Sequence, residues 1–247
     1  MRRRGAILAL ALALAAMLAT AGCNGLPGRP GPVSPVLETG RETSFSALYS
    51  QNCAACHGEE GRGGAAIALA DPVYLAIASD SVLSNAIASG IAGTPMPAFA
   101  QSAGGTLDRQ QVDTLVAGIR RWARPSELAG VKMPPYAADL KGDPQRGADV
   151  YKTFCSSCHG PGGQGGTKAG SVADPSFLAL VSDQGLRTIV IMGRPSLGAP
   201  DWRGDVPGRP MTDQEITDVV SWLAAHRVAY PGQPYPAPAA SGEGGTE

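Results

Sequence analysis

Two short runs carry the chemistry of this chain: Cys53-Ala54-Ala55-Cys56-His57 and Cys155-Ser156-Ser157-Cys158-His159. Each sets two thiols three positions apart with an imidazole directly after them. On the first turn of a helix, residues i and i+3 share a face. Two thiols so placed reach the two vinyl groups along one edge of a porphyrin, and the histidine that follows turns its ring towards the iron. C-x-x-C-H is the sequence mark of c-type haem attachment. Thioether bonds hold the cofactor and the imidazole supplies one axial ligand. Other uses of paired cysteines fit less well. A thioredoxin-like pair needs βαβ surroundings and no following histidine. Structural zinc pairs usually lie close together, whereas about a hundred residues separate these two.

The remaining residue counts agree with two haems. Of five cysteines, four lie in these runs and the fifth is Cys23, so no disulfide framework remains. The chain has three histidines, His57, His159 and His226. With His57 and His159 as proximal ligands, only His226 is spare. Bis-histidine ligation at both irons is excluded, and methionine becomes the favoured distal ligand.

The elements that must position these groups repeat at an interval of about 102 residues. Tyr49 and Tyr151 each stand four residues before the first cysteine, and Gly58 and Gly160 follow the histidines. Gly-rich loops come next, Gly61-Arg62-Gly63-Gly64 and Gly162-Gly163-Gln164-Gly165-Gly166, then Asp71-Pro72 and Asp174-Pro175. Leu83, Ile87 and Gly90 match Leu186, Val190 and Gly193. Each copy ends in an amphipathic helix at i, i+3, i+4, i+7 spacing. The first carries Val112, Leu115, Val116, Ile119 and Trp122; the second carries Ile216, Val219, Val220 and Leu223. Asp108 with Gln111, and Thr212 with Glu215, read as capping boxes. Asp143-Pro144 opens the first helix of the second copy. Neither copy has runs of β-branched or aromatic residues that predict a sheet, so the fold class is all-α. Gly160-Pro161-Gly162-Gly163-Gln164-Gly165 matches G-x-G-x-x-G, but no strand precedes it, which argues against a nucleotide site.

The ends read differently. Met1-Arg2-Arg3-Arg4-Gly5 followed by an apolar run from Ala6 to Leu18 is a secretory signal, with residues 1–22 removed. Ala19-Thr20-Ala21-Gly22-Cys23 resembles a bacterial lipoprotein processing site, in which Cys23 becomes the lipidated N-terminus; Ala19-Thr20-Ala21 also reads as an ordinary A-x-A cleavage site. Residues 23–43 form a Pro- and Gly-rich tether, residues 126–144 a linker around Pro134-Pro135, and residues 231–247 a tail with no ordering pattern. The formal charge is −1, and loss of Arg2, Arg3 and Arg4 with the leader takes it to −4. That balance argues against nucleic acid as a partner.

At this point residues 44–125 and 145–230 resemble tandem class I cytochrome c domains. The resemblance rests on the tyrosine four before the first cysteine, C-x-x-C-H-G, the Gly-rich loop, a Met-Pro segment and the capped final helix. It implies two small helical domains, each around one covalent haem c, and one-electron transfer. It also implies that Met96, in Gly93-Thr94-Pro95-Met96-Pro97, binds the first iron opposite His57. The second copy departs from the pattern. Matching Gly90 to Gly193 puts Ala199 where Met96 falls, and alanine cannot ligate iron. Met211, in Gly208-Arg209-Pro210-Met211, repeats the G-x-P-M signature and is a candidate ligand for the second iron. It also sits just before the cap Thr212, with Ile216 at the fourth helical position, which is a hydrophobic staple; Leu107 and Val112 hold the same places in the first copy. Met192, His226, expected to face solvent, and an open position remain as alternatives.

The resulting expectation is a dihaem carrier at the periplasmic face of the cytoplasmic membrane, lipid-anchored through Cys23. It would pass single electrons from a quinol-oxidising complex or a dehydrogenase to another cytochrome or a terminal oxidase. The alternative is a ligand-binding or peroxidase-like haem protein with an open second site, for which Asp201 and Arg203 are the nearby acid–base groups.

Overall fold

The computed structural model describes residues 42–204, 206–229 and 231. The signal, Cys23, the tether up to residue 41 and all but one residue of the tail lie outside the described residues. Within them every regular element is helical, and the only β pairings are the isolated bridges Ala100–Leu107 and Arg194–Ala199. The all-α reading holds.

The first repeat comprises α1 (Phe45–Asn52), α2 (Ala54–His57), α3 (Pro72–Ile77), α4 (Asp80–Ser89) and α5 (Arg109–Arg120). The second comprises α6 (Pro144–Phe154), α7 (Ser156–His159), α8 (Pro175–Leu180), α9 (Asp183–Met192) and α10 (Asp213–Ala224). The starts are set by matching side chains. The Asp71 carboxylate accepts the backbone N–H groups of Val73 and Tyr74, and Asp174 accepts that of Phe177, with proline in the first turn of each helix. Ser79 and Ser182 cap α4 and α9. Both capping boxes form, Asp108 with Gln111 and Thr212 with Glu215. Such caps satisfy N–H groups that no helical carbonyl can reach.

In each repeat the first long helix crosses the last, and a glycine sits at the crossing. The partners are reversed. In the first repeat Phe45 of α1 lies against Gly118 of α5, where a Cβ would fall 1.9 Å from the ring. In the second, α10 lies against Gly147 of α6, where a Cβ would fall 2.1 Å from the Asp218 carbonyl oxygen and 2.7 Å from the Trp222 Cβ. The glycine at each crossing lets the helix axes approach.

Arginines close the C-terminal ends of α3 and α8. The Arg120 guanidinium donates to the carbonyls of Leu75 and Ala78 and pairs with Asp80. In the second repeat the carbonyls of Leu178 and Val181 are bound by Arg227, which pairs with Asp183. A cation at a helix C-terminus satisfies its last carbonyls and opposes its dipole.

The repeats share a core. One continuous cluster of buried apolar side chains includes Leu48, Leu83 and Leu115 of the first and Ile191, Trp202 and Ile216 of the second. Helix α3 packs against α9. The segment between the repeats is tied down rather than loose. Arg187 of α9 is 2 % exposed, and its guanidinium donates to the carbonyls of Pro135 and Tyr136 at 2.9 and 3.1 Å and to the Thr217 hydroxyl at 3.0 Å. It also pairs with Asp213. A buried guanidinium with its donors matched this way is favourable only while its partners stay in place.

Two outcomes follow. Gly118→Ala should cost about 2 kcal/mol by overpacking, and much less in a Phe45→Ala background, which urea denaturation of the two singles and the double will show. Arg187→Met should cost roughly 3 kcal/mol, because it leaves buried partners unpaired, and amide exchange should speed up first in residues 131–136.

Candidate functional site

Each C-x-x-C-H run begins where a long helix stops. The backbone N–H of Cys53 still bonds to Tyr49 O at 2.8 Å, and that of Cys155 to Tyr151 O at 2.9 Å. A new helical turn starts at once, so His57 N–H reaches Cys53 O at 3.0 Å and His159 N–H reaches Cys155 O at 3.0 Å. That turn puts the two sulfur-bearing side chains on one face and brings the histidine round after them. It ends at Gly58 and Gly160, with φ of 83° and 80°. A Cβ at Gly58 would lie 1.7 Å from Arg62 O, so the loop can fold back only over glycine.

The loop's return fixes the imidazole. His57 Nδ1 lies 2.8 Å from Ile67 O, and His159 Nδ1 lies 2.7 Å from Gly170 O. A carbonyl only accepts, so Nδ1 carries the proton and donates, which leaves Nε2 with its lone pair for a metal. Burial disfavours the charged ring of His57 and lowers its pKa, while the bond to Ile67 O works the other way. A neutral ring is the form that ligates. Tyr49 and Tyr151 brace the same turn, donating their hydroxyls to Gly58 O at 2.9 Å and Gly160 O at 2.6 Å.

The Cys53 thiol is unlike that of a reactive cysteine. Burial, reinforced by the neighbouring Cys56, pushes the Cys53 thiol up to about 11, whereas reactive cysteines have depressed values. Among the described residues no group of three or more His, Cys, Asp or Glu side chains could hold a bare metal ion. The two cysteine pairs therefore do not converge on one zinc. Two thiols and an imidazole with a free Nε2 suit a porphyrin that brings its own iron.

The candidate distal residues lie in the segments after α4 and α9. Met96 is half-buried, its carbonyl accepting from Ile91 N–H at 3.0 Å and its N–H held by the Thr94 hydroxyl at 3.2 Å. Met192 and Met211 are both buried. His226 does not simply face solvent. Its Nδ1 lies 2.8 Å from Trp222 O and its ring packs 4.3 Å from that of Trp222, which stacks on Tyr151 at 4.1 Å. Asp201 and Arg203 pair with each other, and Arg203 lies over the Trp202 ring.

Sequence reasoning did not find the carbonyls of Ile67 and Gly170, since a backbone acceptor carries no residue type. It also missed Arg187, Arg120 and Arg227. The two C-terminal arginines sit at different places in their repeats, so no matched spacing marks them.

Helical repeats that each present two thiols and a tautomer-fixed imidazole on one turn define a c-type haem-binding protein. A family model described as cytochrome c oxidase, cbb3-type, subunit III matches residues 40–117 and again residues 142–223. The chain belongs to this cytochrome c family, and with membership come covalently held haem c and haem-based electron transfer. A cbb3-type cytochrome c oxidase subunit CcoP of Azospirillum sp. (strain B510) is 32 % identical over 135 residues, half of this chain. Those residues span 41 % of that relative's length. The reducing HAO-like protein complex of Kuenenia stuttgartiensis contains a chain with 17 % identity and a TM-score of 0.42, covering 74 % of this chain and 96 % of that one. Among the described residues no helix is long and apolar enough to cross a membrane.

The tyrosine braces give a pH signature. Burial pushes the Tyr49 hydroxyl up to about 12. The unfolded value is about 10. A raised folded value means the stabilisation is complete below about pH 10 and is lost as pH rises towards 12. Alkaline titration of unfolding free energy should show that loss, and Tyr49→Phe should reduce its slope while costing about 1 kcal/mol at neutral pH.

Proposed function

We propose that the chain is a dihaem carrier of single electrons. Cys53 and Cys56 would hold one haem, with His57 and Met96 on its iron; Cys155, Cys158 and His159 would hold the other. The observation that carries this reading is that the attachment turn is built twice, each time with the imidazole Nδ1 bonded to a loop carbonyl. When bound, the haems supply the one-electron couples. The chain's own residues fix the imidazole tautomer and clamp the turn through Tyr49 and Tyr151. Carbonyl bonding at Nδ1 makes the ligating imidazole more basic, and a thioether opposite favours the reduced iron, so Met96 should give the first haem the higher potential.

The contact between the repeats supports a relay within one molecule. Arg194, just after α9, lies with its guanidinium 3.5 Å from the carbonyl of Gly64 in the loop after His57. Gly63, Gly64 and Asp71 face Met192, Gly193 and Arg194 across a cleft of about 30 Å³. The loop that holds one imidazole thus meets the segment that follows α9 in the other repeat.

The donor in this reading is a quinol-oxidising complex or a dehydrogenase, and the acceptor another cytochrome or a terminal oxidase. The CcoP relative, a cytochrome c oxidase subunit, supports the oxidase class of partner. Lipidation at Cys23 would hold the protein on the periplasmic face of the cytoplasmic membrane and raise its effective concentration near such complexes.

Mass spectrometry of the acid-denatured, exported protein tests the assignment. Two covalent porphyrins should be present, and Cys155→Ala with Cys158→Ala should leave one. A redox titration should show two one-electron steps. A chain with no porphyrin adduct would sink the reading.

A further inference from the structure

The segments after the glycine that ends α4 or α9 share two backbone hydrogen bonds, which permits a residue-by-residue match that spacing alone left open. Ile91 N–H donates to Met96 O at 3.0 Å, and Arg194 N–H donates to Ala199 O at 2.9 Å. Thr94 N–H donates to Ile91 O, and Leu197 N–H to Arg194 O. Gly90 and Gly193 share φ values of 69° and 64°, and a Cβ on either would fall 2.8 Å from the carbonyl oxygen of Met96 or Ala199 respectively. Ala199 therefore stands where Met96 stands.

The same bonds place Met211. Its N–H donates to Trp202 O at 2.8 Å, as the N–H of Leu107 donates to Phe99 O at 2.8 Å. Leu107 and Met211 each precede a capping box and are 1 % and 4 % exposed. Met211 is the counterpart of Leu107, an apolar staple on the last helix. Met192, last in α9, is 2 % exposed and lines the cleft against Gly63 and Gly64 of the other repeat. Met133 packs into the shared core from the linker. His226 packs on Trp222, which stacks on Tyr151, whose hydroxyl holds Gly160 beside His159. That places His226 with the proximal turn.

We propose that no side chain among the described residues occupies the position opposite His159 on the second haem iron, so that this haem, unlike the first, takes small neutral diatomic molecules of the carbon monoxide and nitric oxide type. This rests on the haem assignment above. The second haem would also lack the potential-raising effect of a thioether, so electrons would pass within the molecule from the second haem to the first.

The full-length, haem-loaded protein tests this. Two porphyrins should be counted by mass. Carbon monoxide added to the reduced protein should shift the spectrum of one haem and leave the other. Ala199→Met should abolish that shift, add a second thioether–iron charge-transfer band and bring the two potentials closer. Met211→Ala should lower stability and leave the spectrum unchanged. Two porphyrins with no carbon monoxide shift would overturn the open position and leave the haem assignment standing. A shift that appears only in Met211→Ala would make Met211 the ligand and overturn it equally. Fewer than two porphyrins would overturn the assignment and the inference together.

Discussion

Everything at this protein's two centres depends on one hydrogen bond made twice, from a histidine Nδ1 to a backbone carbonyl that returns to it ten or eleven residues later. It decides the tautomer, and so decides that Nε2 has a lone pair to give. The bond forms only because the chain turns back tightly after the histidine, at Gly58 or Gly160. A tyrosine from the preceding helix then holds that turn by its carbonyl. Helix, turn, loop and imidazole form one device, and the glycines are the condition for its closing.

Duplication preserved the device and let the surroundings drift. At the helix crossing the glycine has changed sides: Gly118 of the last helix lies against the Phe45 ring in one repeat, and Gly147 of the first helix lies against the Asp218 carbonyl in the other. A crossing needs one position without a side chain, and either helix can supply it. The arginine that closes α3 or α8 likewise comes from within the last helix in one repeat, as Arg120, and from beyond it in the other, as Arg227. What both repeats require is a cation at those carbonyls, and a long flexible side chain can reach them from more than one position.

The repeats do not behave as separate beads. Arg187 fastens the linker carbonyls of Pro135 and Tyr136 to the second repeat, and the buried cluster runs through both. A fixed separation would suit the proposed relay, since electron transfer between haems is sensitive to the gap. A thin core in each repeat also gains from sharing, because small domains bury too little surface by themselves.

Much was legible in the residues alone. The attachment turns, both capping boxes, the duplication and the helical class follow from motifs whose physics is local: i and i+3 on one turn, a side-chain oxygen on an N-terminal N–H, a glycine where φ is positive. Long-range facts were not legible. The carbonyls of Ile67 and Gly170 have no residue signature. Arg187 reads as one more surface charge until its partners arrive from residues 135, 136, 213 and 217. His226, expected to face solvent, instead packs on Trp222, because an aromatic face one turn away is visible only once the helix is docked. The spacing of Met211 allowed both a ligand and a staple; that its N–H bonds to Trp202 O as the N–H of Leu107 bonds to Phe99 O is a register that no spacing shows. Local chemistry is written in the order of residues; which distant groups meet is decided when the helices pack.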